Sequence, residues 1–410
     1  MAQLNITLNQ EEILQLLAEN RPDAFKVLLQ ESLNSILQAE STAQLGAEKY
    51  QRTEERSDSR NGSRERELHT RIGTIDLTVP RHRNVPFKSL IFDNYSRSEA
   101  SLIASMCEMV VNGVSTRKVS QVVEALCGTS YSKSMVSEVC KDLDQIVDNF
   151  KNRPLDTEYP FLIVDATYLK VRDNHRIVSK ALFVALATNR EGKHEIVGFD
   201  VYDTENKDTW FAFLSSLKKR GLKGLRMITS DSHQGIISAL GKVFPEVPWQ
   251  RCQTHFSRNI IDKTPNKYQK GLNAELLDMY NAPSIDEART IRDKILSDYT
   301  AIAPAAMEVL ENGFESVMTV MVLPEKLRKF HRTSNHIERL NRELKRRSNV
   351  IGVFPNSASI LRIMGSVLME WHDKRVSLNK MYSVKLHDEV DQNLYLLKNI
   401  ALEQQKLLIA

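Results

Sequence analysis

Apolar and polar positions along the chain fall into distinct textures. Near the start they recur at helical spacing, with Ile13, Leu16 and Leu17 followed by Phe25, Leu28, Leu29, Leu33, Ile36 and Leu37 beyond Arg21-Pro22-Asp23. Asn9 and Glu12 make a capping-box pair ahead of the first run. Residues 51–67 carry almost no apolar side chain, which predicts a flexible, charged linker. Thr70 to Val79 alternates like a short strand pair turning at Gly73 and leads into Pro80-Arg-His-Arg83. Three helices are expected next: Ser98 to about Val111, Ser115 to Cys127-Gly128, and Ser132 or Ser134 to about Phe150. Short helices joined by a tight turn at Gly113 suit a helix-turn-helix, in which the later helix enters a major groove. Pro154 marks a domain boundary.

From Phe161 the texture becomes α/β. Phe161-Leu-Ile-Val runs straight into Asp165, and a short β-branched run of this kind reads as a buried strand. A carboxylate there is costly unless it is paired or binds a metal. Further strands are expected at about His175–Ala187, His194–Tyr202, Leu225–Ser230 and Trp249–Thr254, with helices at Lys207–Lys219 and from just after Asp231 to Phe244. Three meandering strands, a helix, a strand, a helix and a strand make the ribonuclease H-like order. In that order the first and fourth strands are neighbours, which brings Asp165 and Asp231 together. Residues 259–323 are helical and sheet-free. Helices follow around Asn335–Arg347, where Ile337, Leu340 and Leu344 share one face with Glu338 beside it, and then at Ser357–Trp371 and about Val390–Leu408. The expected fold is therefore an α/β ribonuclease H-like core (156–260 and 324–380) with an α-helical insertion (261–323). Residues 1–95 hold N-terminal helices, linker and basic arm, 96–155 a helix-turn-helix-like unit, and 381–410 a C-terminal helix.

Composition narrows the function. No apolar run approaches the roughly 20 residues that span a bilayer, and no signal peptide is visible. Four scattered cysteines fit a reducing, cytoplasmic setting better than a disulfide framework. The net charge of +4 says little, but Lys326 to Arg347 holds nine Lys/Arg against two Glu, a footprint for a polyanion such as DNA. Two strand-end aspartates and a helix-borne glutamate, Asp165, Asp231 and Glu338, suit two Mg²⁺ (or Mn²⁺) ions flanking a phosphodiester displacement.

Several blocks then become specific: Asp165-Ala-Thr-Tyr-Leu-Lys-Val-Arg172, Ser230-Asp-Ser-His-Gln-Gly235, Gln250-Arg-Cys-Gln-Thr-His255 with Arg258-Asn259, and Thr333-Ser-Asn-His-Ile-Glu338-Arg-Leu-Asn341. With Pro80-Arg-His-Arg83, Gly113-Val-Ser-Thr-Arg117 and Arg153-Pro-Leu155 upstream, they resemble the signature blocks of Mutator-type bacterial insertion-sequence transposases over about residues 70–380. The resemblance implies a DDE transposase whose metal-binding acids are Asp165, Asp231 and Glu338, acting on terminal inverted repeats as a dimer or higher oligomer. Ser232 and His336 depart from the family's usual glycine and small residue. Candidate DNA contacts are Arg81, Arg83, Arg117, Lys133, Ser134, Arg258, Arg339, Arg342, Lys345 and Arg346. Cys252, His255 and Asn335 are expected to support the acids. A structural zinc site would need two ligands beyond Cys252 and His255, for which only His331 and His336 offer themselves. Trp210, Trp249 and Trp371 are expected in the core, with base stacking the alternative for Trp249. The competing functions are a nuclease without strand transfer and a non-catalytic helix-turn-helix DNA-binding protein.

Overall fold

The structure, a computed structural model, describes residues 24–51, 56–70, 73–89, 100–127, 131–378 and 380–409. The first helical run expected at residues 9–20 lies outside them. The chain divides into two compact units, Met1–Asp142 and Leu143–Ala410.

In the first unit, helix α1 (Ala24–Leu45) packs on a hairpin of β1 (Arg60–Thr70) and β2 (Gly73–His82). Every second residue of β2 points at the helix, so Ile75, Leu77 and Val79 join Leu37 in a small core. Asn34 accepts from the Thr78 amide at 2.8 Å and fixes the helix along the strand. The hairpin corrects two expectations. Residues 60–67 are the first strand rather than part of a linker, and Gly73 opens the second strand instead of forming the turn. β1 is written almost wholly in polar residues because its side chains stay in solvent while its backbone satisfies the ladder. Gly62, at φ +73°, takes up a register shift between Arg60 and Ser63.

Helices α2 (Ala100–Val111), α3 (Thr116–Cys127) and α4 (Lys133–Val139) follow. Met106, Val119 and Val136 are fully buried among them. Ser132 caps α4 by accepting from the Met135 amide at 3.1 Å. The expected third helix does not run to Phe150. It stops at Val139, and a separate helix α5 (Asp142–Asn152) begins three residues later. α5 packs with the second unit, where Arg362 grips Asp144 with two 2.7 Å bonds.

The second unit holds a mixed five-stranded sheet in the order β5-β4-β3-β6-β7. Strands β3 (Phe161–Asp173), β4 (Arg176–Thr188) and β5 (His194–Tyr202) form an antiparallel meander. After α6 (Lys207–Lys219), β6 (Met227–Ser230) lies parallel to β3. After α7 (Gln234–Val243), β7 (Trp249–Arg251) lies parallel to β6. β7 is shorter than expected, since Gln253 and Thr254 already belong to the next helix, α8 (Gln253–Ile261). One face of the sheet meets α6 and α7, with Phe183 stacked on Trp210 at 3.9 Å in a core that includes Leu162, Val164 and Phe213.

Helices α9 (Asn266–Tyr280), α10 (Ile285–Tyr299) and α11 (Pro304–Val317) close on α8 around their own core of Phe256, Leu272, Leu276, Leu310 and Phe314. The chain returns through α12 (Glu325–His331) to α13 (Asn335–Ile351) and α14 (Ser357–Val376), which pack on β3. Ile337, Leu340 and Leu344 are fully buried along α13, the face their spacing predicted. α15 (Lys385–Gln392) and α16 (Leu394–Ile409) end the described chain. Among the described residues no helix is long and apolar enough to cross a membrane.

Candidate active site

The sheet's register sets the positions of the two aspartates. Phe161, Leu162 and Ile163 of β3 stand opposite Met227, Ile228 and Thr229, each 66 positions further along. Asp231 follows Asp165 by the same 66 positions. Side chains alternate along a strand, so Asp165 shares the face of Ile163 as Asp231 shares that of Thr229. Both carboxylates thus leave neighbouring strands on the face covered by α13.

Glu338 comes to them from the first turn of α13. The Ser334 hydroxyl donates to Glu338 Oε1 at 2.9 Å and holds the carboxylate in place. One turn on, Asn341 Nδ2 donates to Asp165 Oδ2 at 2.8 Å, while the Ala166 amide donates to Asp165 Oδ1 at 2.9 Å. Asn341 Oδ1 is buried with no hydrogen-bond partner among the described residues. The His233 amide donates to Asp231 Oδ1 at 3.2 Å. Beneath it, the Ser230 hydroxyl accepts from Trp249 Nε1 at 2.9 Å and donates to the Asp231 carbonyl at 2.7 Å.

Charge crowding shows in the protonation equilibria. Burial first, and then the Asp231 charge, push the Asp165 carboxyl up to about 7; Glu338 adds to the rise, against the Ala166 amide and His255. His255, on α8, is raised to about 9, chiefly by the Cys252 sulfur beside its ring and against the effect of burial. Burial alone would raise the Cys252 thiol, but contacts from His255 and Ser334 hold it below its ordinary value. Ser334 Oγ lies 3.0 Å from Cys252 Sγ, and the Ser334 amide donates to the same sulfur at 3.3 Å. His255 Nε2 stands 3.9 Å from Glu338 Oε1. Cys252 and His255 therefore border the carboxylates; Asn335 is exposed and meets Thr254 at 3.4 Å.

His331 and His336 are not drawn to Cys252. His331 stacks on Phe161 at 3.7 Å, and His336 packs edge-on against His194 at 4.4 Å. Trp210 is a core residue, but Trp249 is only partly buried and Trp371 is half-buried under Arg375.

The candidate DNA contacts Arg81, Arg83, Arg117, Lys133 and Ser134 are exposed in the first unit. In the second unit Arg258 is exposed on α8, and Arg339, Arg342, Lys345 and Arg346 are exposed along α13. The cluster of nine cations is less free than its count implies. Arg347 is turned inward onto Glu343 and Glu370, Arg346 is clamped by Glu343, Arg328 bonds the Leu323 and Pro283 carbonyls, and Arg332 bonds Asn281. Asn341 and Ser334 are the neighbours of the acids that sequence reasoning left unassigned. Asn341's place three residues after Glu338, on the same helical side, was the available signal.

The sequence profile of the family described as "Transposase, Mutator family" matches residues 1–377. The chain is 39% identical over 386 residues to the transposase for insertion sequence element IS256 in transposon Tn4001 of Staphylococcus aureus, covering 93% of this chain and 99% of that one. It is 36% identical over 361 residues to the transposase for insertion sequence element ISRM5 of Rhizobium meliloti (strain 1021), covering 88% and 91%. Against the transposase for insertion sequence element IS1081 of Mycobacterium tuberculosis it is 37% identical over 360 residues, 87% of each chain. The chain belongs to the Mutator family of transposases, as its motif blocks implied.

Proposed function

We propose that this transposase binds the terminal inverted repeats of an insertion sequence and uses Asp165, Asp231 and Glu338 to cut a strand at the element end and join it to target DNA. The observation that carries the reading is the β3–β6 register, which, continued past its three pairs to the residue after β6, pairs Asp231 with Asp165, while Asn341 of α13 bonds Asp165 and Glu338 precedes it by three residues on that helix. The sheet order suits a ribonuclease H-like core, and α9–α11 are its helical insertion. The first unit, with the exposed cations of β2 and α3 and the N-terminus of α4, is the end-binding part.

The donor set fits Mg²⁺ or Mn²⁺: three carboxylates supply hard oxygens, and the elevated Asp165 carboxyl marks a place where negative charge lacks compensation. Bound there, two such ions supply the charge stabilisation that an in-line phosphodiester displacement needs. The chain's own residues prepare the site. Asn341 and Ala166 fix both oxygens of Asp165, and His233 and Ser230 fix Asp231 through its side chain and carbonyl. Ser334 orients Glu338. Water attacks the phosphodiester at the element end and a 3′-OH leaves. That hydroxyl then attacks a target phosphodiester in the same site, forming a new P–O bond as the target's own 3′-oxygen leaves as a hydroxyl; joining both element ends calls for at least a dimer.

The test is incubation of the full-length protein with labelled end DNA and target DNA in Mg²⁺, resolving cleaved and joined products. Native protein yields both, and Asp165→Asn yields neither while still shifting end DNA in a gel. Cleavage at the native rate by Asp165→Asn sinks the assignment.

A further inference from the structure

Cys252, His255 and Glu338 present one sulfur, one ring nitrogen and one carboxylate oxygen that all lie within 4.8 Å of one another. Each group is held in a way that favours a ligand role. Cys252 is the N-cap residue of α8, and its fully buried sulfur sits at the positive end of that helix, where a thiolate is favoured. The Ser334 amide donates to that sulfur at 3.3 Å, and outer-shell donors of this kind orient coordinating atoms. His255 Nδ1 is buried with no hydrogen-bond partner among the described residues. Glu338 lies in the first turn of α13, a second helix N-terminus facing the same spot. Solvent reaches the group through His255 and Glu338, whose side chains are each 26% exposed.

Sulfur with imidazole and one carboxylate is a softer set than the oxygen-only trio beside it, and suits zinc-class cations rather than Mg²⁺. Zinc bonds run at about 2.0–2.3 Å, so the three groups need to close by about an ångström, within reach of rotations at His255 and Glu338. With His331 and His336 engaged elsewhere, no closed four-ligand cage forms among the described residues.

We propose that Cys252, His255 and Glu338 form an exchangeable site for a thiophilic divalent cation, with three protein ligands and one open position. The site shares Glu338 with the oxygen-ligated pair, so its occupation withdraws that carboxylate from Asp165 and Asp231. Zinc-class ions therefore inhibit the Mg²⁺-supported reaction. This consequence, though not the site itself, rests on the catalytic reading of Glu338.

Cadmium chloride titrated into the metal-stripped, full-length protein tests it. The expected result is a sulfur-to-cadmium charge-transfer band in the ultraviolet that saturates near one ion per chain. Cys252→Ser abolishes the band, and Asp165→Asn keeps it. Glu338→Gln weakens cadmium affinity by about tenfold or more, since even groups that only orient a ligand contribute about 10–100-fold. Zinc added to the Mg²⁺-supported cleavage reaction slows the native protein over the same concentration range in which it displaces cadmium and removes the band. Absence of the band at one equivalent, or its survival in a folded Cys252→Ser protein, overturns the proposal. Should Cys252→Ser fail to fold, unchanged cadmium affinity in Glu338→Gln overturns it equally. A Glu338→Gln protein that binds cadmium weakly yet still cuts DNA upholds the site and removes the catalytic reading.

Discussion

Glu338 and Glu343 stand five residues apart on α13, and the proposed function gives them opposite duties. Glu343 receives Arg346 through two bonds of 2.7 and 2.8 Å and Arg347 through one of 2.9 Å. Arg346 first, and then Arg347, hold its carboxyl at about 2, below the usual 4.5. That difference corresponds to about 3 kcal/mol. The Glu343 side chain is 35% exposed, so solvent screening reduces the expected loss in Glu343→Gln to about 1–2 kcal/mol. Arg347, only 8% exposed, keeps Glu370 at 3.7 Å and is not wholly abandoned. In thermal unfolding the loss appears as a fall in Tm of about 2–8 °C for a unit of this size. The deficit has a defined pH window. A carboxyl held low in the folded state contributes its full stability above the unfolded value of 4.5 and loses it as pH falls towards 2. Native and Glu343→Gln melting curves therefore converge at acid pH. Glu338→Gln behaves in reverse, with unchanged or slightly raised stability in the absence of metal and no strand cleavage. Both variants go through differential scanning fluorimetry from pH 3 to 8 and through the cleavage assay. If Glu343→Gln melts normally but cannot cut while Glu338→Gln cuts, the register of α13 and the third acid are both wrong.

Divalent metal at about 100 times its dissociation constant stabilises the native fold by about 2.7 kcal/mol. Asp165→Asn, Asp231→Asn and Glu338→Gln gain much less, and equal Tm gains in all four proteins would contradict the shared site. Gly313 of α11 presses on α8, where a Cβ would stand 2.2 Å from Phe256 Cε2. Gly313→Ala is expected to lose about 1–3 kcal/mol in urea unfolding, and an unchanged midpoint would show that the two helices pack otherwise. A fragment of residues 1–142, the first compact unit, is expected to retain preference for end DNA over scrambled DNA in a gel shift at physiological salt. Equal affinity for the two would move end recognition elsewhere in the chain.

What sequence could and could not show follows from where each element gets its stability. β3 and β4 are legible because Phe161–Val164 and Ala181–Ala187 are buried on both faces, so burial is written as continuous apolar runs. β1 is illegible because its stability is in backbone bonds to β2, and most of its side chains before Leu68 face solvent. The break between α4 and α5 is hidden for a different reason. Val136, Cys140 and Val147 are all buried and stay near helical phase across it, so the pattern continues where the helix does not. In the site, Asp165 and Asp231 announce themselves as carboxylates at the ends of apolar runs, although β3 continues past Asp165 to Asp173. Asn341 does not, since its bond to Asp165 exists only once α13 is packed on β3. Likewise, nine cations can be counted from sequence, but Arg347 and Arg328 are spent on internal partners that only the fold supplies.

The short β6 makes the molecule unevenly tolerant of changes in length. Three residue pairs with β3 set its register, and the segment before it is pinned by the Tyr159 amide on the Lys223 carbonyl and the Arg226 amide on the Pro160 carbonyl. Gly221 (φ +104°) and Gly224 (φ +78°) make the turns that this tight connection requires. Deleting one residue between Leu222 and Arg226 would slide β6 by one position, bring Ser232 level with Asp165 and turn Asp231 towards the apolar face under α6 and α7. Such a deletion leaves every acid in the sequence and, on the proposed reading of the trio, is expected to abolish cleavage as surely as replacing one. By contrast, α9–α11 pack around a core of their own and stand outside the β3–β6 register. Whole turns added to or removed from their connecting loops leave the spacing of the aspartates untouched, so natural length variation in this lineage should collect there and avoid the five residues before β6.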